Sequence, residues 1–178
     1  MVKKKIGQYV VPAIFISVVL FALVFTFIQH RPVSVYPDQL STLNSKDFVI
    51  ANTNPPLEVG FANIGDVQLQ LPGGKMLGRS GVYRPANVDA IFTFTRKTNI
   101  LNKVDMTGPG LSTARSIAVN DSFDKVIDKY GDGFIRSYYK NDPQTFDAVY
   151  GKDQCIVFNV KDNIVKKIVI MHEIDTAI

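Results

Sequence analysis

The groups in this chain that could carry acid–base or nucleophilic chemistry are few. Its two histidines are His30 and His172, and its one cysteine is Cys155. A hydrolytic triad needs a base within reach of a nucleophile, and histidine is the usual base. His172 could serve Ser112 or Ser137, but neither serine sits in a G-x-S-x-G frame that would present its hydroxyl. Asp121, Asp124, Asp128 and Asp132 follow one another at helical spacings, and carboxylate clusters suit Ca²⁺. Lys125 and Lys129 alternate with them, which describes a solvated helix face with i,i+4 ion pairs instead. Gly108-Pro109-Gly110 lacks the following Lys and the run of free backbone N–H groups of a phosphate loop. Cys155 lies in an apolar run and reads as a small buried hydrophobe. These residues assign no catalytic role, no metal ligand and no cofactor. The expected activity is binding, with exposed aromatics such as Tyr138 and Tyr139 as the candidate surface.

Charge narrows the partners. The chain carries a net charge of +4, but removing Lys3, Lys4 and Lys5 from its 20 Lys and Arg leaves 17 against 16 Asp and Glu. That balance makes no cationic field for nucleic acid, which is excluded as a partner. Residues 9–28, YVVPAIFISVVLFALVFTFI, form a charge-free apolar run. As a helix the run would extend about 30 Å, the thickness of a bilayer's hydrocarbon core. Lys3, Lys4 and Lys5 before it place the N-terminus in the cytoplasm and the C-terminal domain outside the cell, by the positive-inside rule. The rival reading, a cleaved signal peptide, expects a shorter core and a small-residue cleavage site, whereas this run ends TFIQHRP. The expected organisation is a cytoplasmic tail at 1–8, a single-pass signal-anchor at 9–28 in contact with the lipid bilayer, a Pro-containing stalk at 29–46 and an extracytoplasmic domain at 47–178.

Within that domain, short alternating runs at 47–51, 57–61, 66–71, 88–95 and 100–106 read as strands, with Val67, Leu69 and Leu71 sharing one face. At 120–131 the period changes. Phe123, Val126, Ile127 and Tyr130 fall at i, i+3, i+4 and i+7, the stripe of one amphipathic helix, with Asp121 or Ser122 to cap it and Gly131 to end it. Strands follow at 134–140, 146–150, 155–160 and 164–171. Shifting 91–106 by 64 positions lays it on 155–170 with Phe94, Lys97, Asn99, Ile100 and Lys103 matched by Phe158, Lys161, Asn163, Ile164 and Lys167. The match predicts an internal duplication, with half-repeats at 57–107 and 112–171 joined in one sheet. The fold expected is α+β: one transmembrane helix, then antiparallel strands with one main helix.

The stretch ARSIAVNDSFDKVIDKYG, followed by a hairpin ending IVFNVKDNIVKKIVI, resembles a repeated extracytoplasmic module common in membrane-anchored proteins of Firmicutes. More distantly it is similar to assembly lipoproteins of the SmpA/OmlA type and to β-lactamase-inhibitory protein, which share a helix-then-sheet layout. Asn120 stands where the module has Gly, and the lipobox of the lipoproteins is absent. The resemblance implies a non-catalytic binding or scaffold domain at the cell envelope, with a protein or envelope component as its partner. The alternative is an envelope hydrolase whose site has no recognisable motif.

Overall fold

The computed structural model describes residues 32–78 and 81–172. The chain enters as β1 (Pro32–Val35), passes a 3₁₀ turn at Ser45–Phe48, and forms the short pair β2 (Val49–Ile50) and β3 (Leu57–Glu58). Helix α1 (Ile64–Gln70) leads into β4 (Lys75–Met76), β5 (Val82–Arg84), β6 (Ala90–Phe94) and β7 (Leu101–Met106). Helix α2 (Phe123–Tyr130) leads into β8 (Ile135–Tyr139), β9 (Asp142–Gly151), β10 (Gln154–Lys161) and β11 (Ile164–His172). Nine strands make one antiparallel sheet in the order β1-β8-β9-β10-β11-β7-β6-β5-β4. Each helix thus precedes a four-stranded meander, and the meanders meet where β11 pairs with β7.

Both helices lie on the same face of the sheet. Ser122 caps α2 by accepting from the Lys125 N–H, and the apolar stripe then buries Phe123, Val126 and Tyr130. Phe123 meets Phe146 edge-on at 5.1 Å between ring centroids, and Tyr130 meets Phe158 at 5.2 Å. Burying such side chains stabilises by roughly 1.5–3 kcal/mol each. Gly131 ends the helix at a φ of 84°, and a Cβ there would stand 2.8 Å from the Ser41 hydroxyl. The core built this way takes in Ile50, Val59, Val67, Phe92, Val104, Ile156 and Ile170 and is confined to the helix side.

Several expectations are corrected. The α+β fold with one main helix gives way to a predominantly β structure with two short helices, because 66–71 is not a strand. Asn63 accepts from the N–H groups of Gly65 and Asp66 while the Asp66 carboxylate accepts from the Asn63 N–H, a reciprocal cap that starts α1. Coiling then puts Val67 in the core and Leu69 in water. The transmembrane, single-pass and signal-anchor readings also fall. The run 9–28 lies outside the described residues, and among the described residues no helix is long and apolar enough to cross a membrane. At 1.5 Å per residue, α1 and α2 extend only about 10–12 Å. Lastly, the described part of the expected stalk is folded onto the domain: β1 pairs with β8, the Ser41 N–H donates to Gly133 O at 2.7 Å, and Leu43 packs on the core.

The halves correspond closely where they join their helices. The Ile64 N–H at the start of α1 donates to Asn99 O, and the Phe123 N–H at the start of α2 donates to Asn163 O. Asn99 and Asn163 both adopt positive φ, 55° and 61°, a conformation Asn tolerates better than most side chains. At the junction Ile168 faces Met106, Val169 faces Asp105 and Ile170 faces Val104. A shift of 64 carries Val104 to Ile168, Asp105 to Val169 and Met106 to Ile170. Exchanging the halves therefore maps the register onto itself about the Asp105 and Val169 pair.

Candidate functional site

The sheet has a second face, whose side chains lie outside the main hydrophobic cluster, although Cys155 and Asp105 on it are buried. Burial alternates along β9, β10 and β11, so residues two apart share this open face. Register then aligns them across strands. Ile135, Val149, Val157, Val169, Asp105 and Ile91 stand opposite one another in sequence, a row crossing six strands. A parallel row runs through Cys155, Met171, Lys103, Thr93 and Val82. With strands about 4.8 Å apart, the apolar part of the first row, from Ile135 to Val169, extends about 14 Å. All four of its side chains are half-buried by their neighbours alone.

Charge sits at the centre of this face. Lys103 Nζ reaches Asp105 Oδ2 at 2.9 Å and Lys167 Nζ reaches Asp105 Oδ1 at 2.7 Å. The two lysines are related by the same shift of 64, and each brings one ammonium to the carboxylate. Burial alone would raise the Asp105 pKa, but hydrogen bonds and charge from Lys167 and Lys103 outweigh it and hold the carboxyl below its ordinary value. Both ammonium groups remain partly exposed, at 36% for Lys103 and 41% for Lys167. Farther out, Asp147 accepts from Asn159 Nδ2 at 2.8 Å, and Lys161, Arg84 and Lys75 add cations. The face offers an apolar stripe beside a basic centre.

The candidate binding pair from the sequence separates. Tyr139 is half exposed at the end of β8, opposite Pro32 of β1. Tyr138 packs against the core side, where Arg136 also lies, 3.9 Å above the Phe146 ring. The residues weighed for catalysis do not converge. His172 stacks edge-on with Phe48 and Phe61 and bonds Gln154 through Nε2 at 2.7 Å. The Ser112 hydroxyl donates to Asn52 Oδ1, and Ser137 lies on β8, three strands from β11. Asp121 pairs with Lys125 at 2.8 Å and Asp124 accepts from Asn163 Nδ2. No group of acidic, His or Cys side chains among the described residues is arranged to hold a metal ion. Cys155 is buried, and burial pushes its thiol pKa up.

Sequence reasoning missed the Asp47 and Arg115 pair. Asp47 is 3% exposed and takes Arg115 Nε and Nη2 at 2.6 and 2.7 Å, while Arg115 Nη1 donates to Lys129 O. The guanidinium also stands 4.5 Å from the Tyr130 ring centroid. Burial pushes the Tyr130 hydroxyl up to about 12. This network ties the 3₁₀ turn to the end of α2, a structural clamp 68 residues long in sequence that no local pattern announces. Compared with known proteins, the chain matches no family model, no curated protein and no solved structure.

Proposed function

We propose that this chain is a non-catalytic binding module that seats a protein or cell-envelope component on the open face of its sheet. The observation that carries the reading is the row Ile135, Val149, Val157 and Val169, which no segment among the described residues covers, abutting the Lys103, Asp105 and Lys167 centre. An apolar row left open to water suits the apolar side chains of a partner, and the flanking ammonium groups favour an acidic rim on that partner. A photo-crosslinking side chain at position 157 in cells should yield a discrete adduct, and the same group at Lys129 on the helix side should not. Adducts of equal yield from both positions, or none from 157, would refute the assignment of the open face.

A further inference from the structure

A second surface lies on the helix side, around α1. Phe61 and Leu69 are the large apolar side chains of this region that face water, 66% and 78% exposed. With Pro55 and Pro56 they line a cleft of about 340 Å³ whose charged lining groups among the described residues are Glu58 and Asp66. The correspondence between the first and second meanders supplies a control for what the fold itself requires here. The caps Asn63 and Ser122 each form an isolated bridge to the equivalent residues Ile100 and Ile164, which sets α1 against α2 with a shift of 59. Under that shift the buried Val67 falls on the buried Val126, as a shared core position should. Phe61 falls on Asn120 and Leu69 on Asp128, both exposed polar residues. The same architecture therefore stands without apolar groups at these two places; Phe61 touches the fold through its edge-on contact with His172, and Leu69 turns its side chain to water.

We infer that the cleft between the Pro55-Pro56 turn and α1 docks a segment of a partner polypeptide that presents an apolar side chain flanked by a lysine or arginine. The apolar walls call for the first feature. The Glu58 and Asp66 carboxylates, with which no lysine or arginine pairs among the described residues, call for the second. The chain's own end, EIDTAI at 173–178, is the wrong match, because Glu173 and Asp175 would meet Glu58 and Asp66 with like charge. This surface lies on the opposite side of the sheet from the open face and does not depend on it.

The test uses the full-length chain and two short labelled peptides, one alternating leucine and lysine, the other leucine and glutamate, titrated by fluorescence anisotropy. The lysine peptide should bind at least about tenfold more tightly than the glutamate peptide. Phe61→Asn with Leu69→Gln, which changes no charge, should weaken it about tenfold; Leu69→Gln alone, which keeps the Phe61 contact with His172, should weaken it severalfold at an unchanged melting temperature, as should Glu58→Lys. Asp66 is left intact because its carboxylate caps α1. Hydrogen exchange on the wild type supplies a readout independent of any variant's folding, with peptide-induced protection expected across residues 58–70. Equal affinity for the two peptides, no binding, or binding indifferent to Phe61→Asn with Leu69→Gln would overturn the proposal. So would a dimer that the double substitution dissociates, which would put a second copy in the cleft, or tighter peptide binding after removal of 173–178, which would put the chain's own end there.

Discussion

At Asp105 two lysines converge on one carboxylate, and the balance has a pH signature. The folded-state pKa lies below the ordinary 3.8, so the stabilisation is fully present above that value and is lost as pH falls through the lowered one. Asp105→Asn should cost about 1–2 kcal/mol in urea unfolding at pH 7, with the difference shrinking as pH falls below 3.8 and through the lowered value. A constant difference across that range would mean that the lysines do not stabilise the charge. Arg115 raises the same question in a drier place. Arg115→Met leaves the 3%-exposed Asp47 carboxylate without its bidentate partner and should cost about 3 kcal/mol, measured in the same way. Neither cluster could be read from the chain alone. Asp105 and Lys167 come together only through the pairing of β7 with β11, and Asp47 meets Arg115 across 68 positions. Local pattern carries no information about such distances.

The two helices show how far local pattern does reach. In α2 the stripe, the cap at Ser122 and the stop at Gly131 all agree, and the element lies at Phe123–Tyr130. In α1 the sequence DVQLQL alternates perfectly and so mimics a strand. The signal that decides against a strand is the pair Asn63 and Asp66, three apart, together with Ile64, Val67 and Leu71 at helical spacing. Seven residues give too few turns for periodicity alone to settle the matter. Val126→Ala, at a position with no exposure, should cost about 2 kcal/mol, and Ile127→Ala, half-buried on the edge of the stripe, less than about 1 kcal/mol. Equal losses at both would mean that the helix sits rotated from this description. His172, wedged beside Gly60 between Phe48 and Phe61, belongs to the same packing scale. His172→Ala should lower the melting temperature and leave partner binding intact in the fraction that stays folded. Loss of binding in a variant that melts like the wild type would favour an active-site role.

For the molecule as a whole, the hairpins β6 with β7 and β10 with β11 lie where alternation and the turn asparagines place them, but the shift relating them is not uniform. Leu101 and Val165 share the position after the turn at a shift of 64, whereas Phe94 and Val160, each following a register slip, are 66 apart. Two extra residues in the first turn account for the difference. An ungapped comparison therefore aligns β7 with β11 correctly and misplaces β6 by one full pleat repeat. Which face of the sheet stays open was equally hidden, because alternation shows that a strand has two faces without showing which one the helices will cover.

The symmetric junction also poses a problem of choice during folding. Since β7 and β11 are interchangeable in register, nothing in their backbone prevents β11 of one molecule from pairing with β11 of another in crowded refolding. What distinguishes the correct match is the side chain at the centre of exchange. A β11 with β11 joint would bring two Lys167 ammonium groups to a Val169 pair with no carboxylate between them, and only a strand carrying Asp105 neutralises them. Replacing Asp105 with Val would erase that difference, and the concentration-dependent yield of strand-exchanged dimer on refolding should rise, as size-exclusion chromatography would register. Asp105 thus serves as the chain's means of telling its own other half from a stranger's identical one.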